Sequence, residues 1–188
     1  MRYVIADPAD IEVRRQQLAA LPHPRVGILW QGNLQNKSLR GLSTELLLWS
    51  AIPQHKDVSF VSLQTDPGRS HLTDLDPDVR PFDPFAGAPP RDFADTAAIV
   101  ADLDLVISID TAVAHLAGAM GRPVWILLPF AADWRWGRGG DSSPWYPTMR
   151  LFRQRHLGDW VEVMEQVEIA LSAQFEAPAD RPAAEDGP

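Results

Sequence analysis

Cysteine is absent from the 188-residue sequence. That absence excludes a disulfide scaffold, a thiolate zinc site and a cysteine nucleophile, and it fits a reducing compartment. Lysine is nearly absent too, with Lys37 and Lys56 the only two. Basic residues total 17 against 25 acidic ones, for a formal charge of −8. Such a chain has no sustained positive field with which to hold nucleic acid or an anionic membrane surface, so any phosphate must be held locally. Long apolar runs are missing as well. The longest, Val124 to Ala132, is interrupted by Pro129, whereas a membrane span needs roughly 20 apolar residues. The first residues, Met-Arg-Tyr-Val-Ile-Ala-Asp, carry neither the apolar run nor the cleavage site of a secretory leader. The expectation is a soluble, cytoplasmic protein with no transmembrane segment. There is no Walker A loop, no Gly-x-Gly-x-x-Gly fingerprint and no Gly-x-Ser-x-Gly elbow. His23, His55, His71 and His156 show no ligand spacing, so no metal site is expected.

What the chain does have is alternation. Asp10 to Leu21 reads as a lead-in helix stopped by Pro22-His-Pro24, and Arg25 to Trp30 as a short strand apolar on both faces. Ser43 to Ile52 reads as a helix capped by Ser43 or Thr44, and Val58 to Leu63 as a second strand. Between Asp66 and Pro90 the Asp, Pro and Gly content predicts loop, with a short helix near Ser70 to Leu75 and a short strand at Val79 to Pro81. A helix over Asp92 to Leu103 then leads into the clearest strand, Asp104 to Ile109. Asp110 to Met120 forms the next helix and Arg122 to Leu128 the next strand, a βαβ unit. An aromatic loop from Pro129 to Pro147, a strand at Met149 to Arg153 and an amphipathic helix over Asp159 to Ser172 complete the pattern. The fold class this implies is α/β, a Rossmann-like, doubly wound, mostly parallel sheet with helices on both faces. Three segments are expected: a lead-in helix and linker over 1–24, the Rossmann-like domain over 25–173, and a disordered acidic tail over 174–188.

In such sheets ligands bind beyond the carboxyl ends of the strands. Asp110-Thr111 stands at one such end, where a helix N-terminus favours an anion, and His115 lies one turn further on the face of Thr111. Equally, Asp110 could simply cap the helix and His115 sit in the core. The loop after the first strand, from Trp30 to Ser43, carries Gly32, Asn33 and Gly41, with Lys37 and Arg40 as cations suited to a diphosphate. Gln64 ends the second strand and Phe93 opens a helix, both placed to meet a nucleoside. The loop containing Trp134, Trp136, Trp145 and Tyr146 is either a platform for a sugar or a self-packing loop, and packing is the favoured reading.

Asp110-Thr-Ala-Val-Ala-His115-Leu-Ala-Gly-Ala-Met-Gly-Arg-Pro-Val-Trp125 resembles the nucleotide-sugar motif of the family 9, heptosyltransferase-like glycosyltransferases. Val26 to Asn33, Phe60 to Gln64, Asp92 to Ala97, Asp133 to Trp136 and Ser143 to Tyr146 resemble the transferase domain that ends bacterial tetratricopeptide-repeat proteins, and more distantly O-GlcNAc transferase. The resemblance implies the C-terminal half of a GT-B fold, the donor-binding half of an inverting, metal-independent enzyme that needs no cofactor beyond its nucleotide-sugar substrate. It places Thr111, Ala112 and His115 at the diphosphate, Asp110 at the phosphate or donor sugar, and Lys37 or Arg40, with Gly32 and Asn33, at the leaving group. Gln64 and Phe93 would neighbour the nucleoside. The acceptor site and catalytic base would belong to an N-terminal Rossmann-like half, and a tetratricopeptide array is a further implied partner. A non-catalytic nucleotide-binding or scaffold module of the same fold is the alternative.

Overall fold

The computed structural model describes residues 3–32, 55, 57–65 and 68–175. Asn33, Lys37, Arg40, the helix expected over 43–52 and nearly all of the expected tail lie outside them.

Five parallel strands form one sheet: β1 (Arg25–Leu29), β2 (Ser59–Ser62), β3 (Leu105–Ile109), β4 (Val124–Leu128) and β5 (Met149–Arg153), in the order β2-β1-β3-β4-β5. Val26 of β1 pairs with Phe60 on one side and Leu105 on the other, and Val106 of β3 pairs with Val124. β1, β3 and β4 are buried at every position, which is why they read as unbroken apolar runs instead of alternating ones. Each buried Val, Leu or Ile contributes about 1.5–3 kcal/mol by leaving water. A Cβ at Gly27 would lie 2.5 Å from Leu103 Cδ1 and 2.8 Å from Leu63 Cδ1, so both leucine ends would have to move to admit it.

Four helices flank the sheet: α1 (Pro8–Leu18), α2 (Phe93–Val100), α3 (Ala112–Ala119) and α4 (Trp160–Phe175). α1 packs on α2 and α2 on α3. Side-chain direction in β5 shows that α3 and α4 cover opposite faces. Met149 reaches Gly118 of α3, whereas Arg150, pointing the other way, shares a hollow with Gln166, Ile169 and Ala170 of α4. The doubly wound arrangement expected from the alternation is therefore present.

The differences are local. α1 begins earlier than Asp10, because Asp7 accepts a hydrogen bond from Ala9 N at 2.7 Å and Pro8 occupies the first turn. It ends at Leu18, short of the expected Leu21. The helix expected near 70–75 is a 3-10 segment over Gly68–Asp74, and the strand expected at 79–81 is a 3-10 turn over Pro77–Val79 followed by one parallel bridge between Phe82 and Val61. Pro81 has no N–H to offer the edge of β2, whereas Phe82 N donates to Phe60 O at 2.8 Å. α4 continues to Phe175, past the domain boundary expected at 173. No helix among the described residues is long and apolar enough to cross a membrane.

Candidate functional site

From β1 the chain adds β2 on one side of the sheet, and from β3 onward it adds strands on the other, so the topology switches between β1 and β3. The carboxyl ends at that switch are the place where an open α/β sheet offers a crevice. Gln31 and Gly32 follow β1 there, and Asp110 and Thr111 follow β3.

Thr111 is the N-cap of α3, in extended conformation and with no side-chain cap. The first bond of the helix runs from His115 N to Thr111 O at 3.3 Å. The N–H groups of Ala112, Val113 and Ala114 therefore have no helical acceptor, and together with the helix dipole they favour an anion. Thr111 Oγ1 lies 3.1 Å from Ser108 Oγ, which itself donates to Ile109 O at 2.8 Å, fixing the hydroxyl beside the turn. Ala112 is exposed and Thr111 half-buried, so the turn is open.

Asp110 does not cap the helix, correcting the reading that it might. Its carboxylate accepts a hydrogen bond from Trp136 Nε1 at 2.8 Å, lies 3.4 Å from His115 Nε2, and has Arg135 at 4.0 Å. Burial pushes the Asp110 pKa up, but hydrogen bonds from His115 and Trp136, with the charges of His115 and Arg135, outweigh it and leave the carboxyl below its ordinary value. His115 Nδ1 lies 3.1 Å from Tyr146 Oη, the His115 ring stacks on Trp136 at 5.2 Å, and Tyr146 meets it edge-on at 5.7 Å. Burial, then the neighbouring Tyr3, push the Tyr146 phenol up to about 12, so it stays protonated across the working range. His115 is neither a solvent residue nor a plain core residue: it is held between an acid, a phenol and an indole.

The structure thus brings Asp110, Thr111, Ala112 and His115 together at one turn, with Gly32 in the segment that follows the neighbouring strand β1. Gln64 is used differently from the expectation. It is 2% exposed, its Oε1 accepts from Trp30 N at 3.3 Å and Gln31 N at 2.9 Å, and its Nε2 donates to Gln31 O at 2.9 Å and Thr65 O at 3.0 Å. Its amide knits the ends of β1 and β2 and has little left for a ligand. Phe93 is 56% exposed at the first turn of α2, with no described link to the α3 turn. The sequence reading passed over Ser108 and did not connect Trp136 or Tyr146 with Asp110 and His115. The aromatic loop does pack itself onto the domain through Trp136, which is 1% exposed, while Trp134 and Trp145 remain outside. Among the described residues no three His, Asp or Glu side chains gather as a metal ion would require.

These features define a Rossmann-like α/β domain with an open, uncapped helix start at its switch point. Solved structures with this fold include E. coli ADP-heptose LPS heptosyltransferase II, with a TM-score of 0.64 at 15% identity over 93% of this chain and 54% of that one. They also include a family 9 glycosyl transferase from Veillonella parvula, with a TM-score of 0.56 at 8% identity over 93% and 48%, and E. coli heptosyltransferase WaaC with ADP, with 0.52 at 14% over 83% and 48%. Residues 51–132 match the family model for Glycosyltransferase family 9 (heptosyltransferase). The chain is also 32% identical over 169 residues to Protein FlbA of Caulobacter vibrioides, an alignment covering 88% of this chain and 28% of that protein. It therefore spans about half of the heptosyltransferases and under a third of FlbA.

Proposed function

We propose that this chain is the donor half of an inverting glycosyltransferase, binding a nucleoside diphosphate-sugar at the turn between β3 and α3. The observation that carries the reading is the open, uncapped start of α3 at the β1/β3 switch, flanked by Thr111 and the braced Asp110–His115 pair. The family 9 match and the fold of the heptosyltransferases support it. In the transfer, an acceptor oxygen forms a bond to the anomeric carbon while the bond from that carbon to the diphosphate breaks. The departing charge is met by the first N–H groups of α3, the Thr111 hydroxyl and the cations Lys37 and Arg40. Gly32 supplies close backbone approach, Asn33 is a further contact of the diphosphate, and Phe93 of α2 neighbours the nucleoside. The base that deprotonates the acceptor belongs to a second Rossmann-like half, in a longer chain that could also carry repeats, and the reaction needs no metal or further cofactor. A cytoplasmic location fits a nucleotide-sugar substrate.

Calorimetry with a panel of nucleoside diphosphates tests this. Binding by the chain, weakened at least tenfold in the Thr111→Val, His115→Ala double variant, is the expected outcome; no binding, or undiminished binding in that variant, rejects the reading. Because the chain spans about half the length of the transferases it resembles, a second reading is a module that binds the nucleotide without turnover. Transfer or donor hydrolysis by this chain would reject that alternative.

A further inference from the structure

The family resemblance places His115 at the diphosphate, yet both of its ring nitrogens are already taken. Nε2 lies 3.4 Å from Asp110 Oδ1, an oxygen with no other partner among the described residues, and Nδ1 lies 3.1 Å from Tyr146 Oη. The proton positions along this row follow from its two ends. Asp110 is held ionised, so it can only accept, and a bare Nε2 lone pair facing it would be repelled. Nε2 therefore carries the proton. In the neutral ring Nδ1 is then an acceptor, and Tyr146, which keeps its phenol proton, donates to it.

Tyr146 is fixed where it makes this bond. Its backbone N donates to Ser143 Oγ at 3.3 Å, and its carbonyl accepts from Met149 N at 3.0 Å, at the entry to β5. Its ring lies against Gly118 of α3, where a Cβ would stand 2.7 Å from Cγ, and stacks on Tyr3 at 6.4 Å. Trp136 stacks on the imidazole with 27° between the rings. Stacking constrains the plane of the imidazole but not which edge meets Asp110, because a half-turn of the ring leaves its plane unchanged. The phenol decides the edge.

We propose that Tyr146 is a positioning residue of the donor site, acting through His115: it locks the imidazole edge on Asp110, so that His115 restrains the carboxylate and makes no contact with the diphosphate. This rests on the glycosyl-transfer reading, and its effect there is electrostatic. Asp110 directly precedes the Thr111 cap of α3, where a loose carboxylate would repel an arriving diphosphate. With its side chain 8% exposed and its charge met by Trp136, His115 and Arg135, it is screened from that ligand. Without the phenol the imidazole can turn, and Asp110 loses the partner of its Oδ1.

The test combines calorimetry with ADP, UDP and GDP with long-range 15N–1H NMR of the imidazole, on the whole chain in mildly alkaline buffer. Nε2 is expected to bear the proton and Nδ1 a hydrogen-bonded lone pair, a pattern that a bound diphosphate leaves unchanged. Tyr146→Phe keeps the ring and its packing. It should move the Nδ1 resonance to that of an unbonded nitrogen and weaken diphosphate binding by about three- to tenfold, as loss of one hydrogen bond does. In a His115→Gln background, which retains an N–H for Asp110 but has no Nδ1, Tyr146→Phe should weaken binding no further. A proton on Nδ1 in the wild type, or an Nδ1 resonance or affinity indifferent to Tyr146→Phe, overturns the proposal. So does a ring nitrogen that changes its protonation on diphosphate binding, or an equal loss in both backgrounds. If none of the three diphosphates binds the wild type while the Nδ1 resonance still answers to Tyr146→Phe, the donor reading falls and the hold of the phenol on His115 stands.

Discussion

Trp136 shows how much one donor atom can carry. Its indole N–H joins His115 and Arg135 in holding the buried Asp110 carboxylate, and its ring stacks on that of His115. Trp136→Phe keeps most of the stacking surface and deletes only the donor. Hydrogen bonds to charged groups contribute about 1.5–3 kcal/mol, so the variant should lose about that much stability, measured as a lower urea midpoint. The Asp110 carboxyl should also titrate at higher pH than in the wild type, measured by 13C NMR. An unchanged titration would mean that Asp110 is held by His115 and Arg135 alone. Nothing in the pattern of the 129–147 segment marks Trp136 as the inward indole, since Trp134 and Trp145 are the same residue type in the same loop. Only the turn after Asp133, which caps the single 3-10 turn through Arg135 N at 3.0 Å, decides which ring faces in.

At the scale of the element, α3 contains a glycine that helix propensity alone would reject. In an exposed helix Gly118→Ala would stabilise by about 0.5–1 kcal/mol. Here the new Cβ would stand 2.7 Å from Cγ of Tyr146 and 2.9 Å from its Cδ1, so the ring must move. We expect a loss of about 1–3 kcal/mol from overpacking, seen as a lower melting temperature, together with loss of the Tyr146–His115 hydrogen bond in the NMR spectrum. The β3–α3–β4 unit around this glycine was legible because its strands are buried on both faces and its helix follows directly. The parallel sheet came with it. The start of α1 was missed although Asp7-Pro8 is a capping signal, because the apolar period begins only at Ile11. The true use of Gln64 was not legible at all. A glutamine at a strand end looks the same in sequence whether its amide faces a ligand or is knotted to the adjacent backbone.

At the scale of the whole molecule, one buried carboxylate fastens the outer helix to the rest. Asp95 of α2 meets Arg91 at 2.7 Å and Arg14 of α1 at 3.0 Å, and accepts from Arg91 N at 2.8 Å. The hydrogen bonds from Arg91 hold its pKa well below the ordinary carboxylate range, against the opposing effect of burial and with help from Arg14. A depressed carboxyl pKa contributes stability that is fully present above pH about 4, the unfolded value, and is lost as the pH falls. Asp95→Asn should therefore be less stable than the wild type at neutral pH, by roughly 1–3 kcal/mol, with the gap narrowing as urea titrations are carried below pH about 4. A gap that stays constant down to strong acid would show that Asp95 contributes by shape and not by charge.

The two tyrosines of the chain extend this connectedness to its leading edge. Tyr3 stacks on Tyr146 at 6.4 Å, and both Tyr3 N and Val4 N donate to Ala119 O at the end of α3. The opening residues thus act as a wedge behind the phenol that steadies His115. An affinity tag fused ahead of residue 3, or a trimmed start, would be felt at the imidazole, and enzymologists comparing differently tagged preparations should expect their results to diverge.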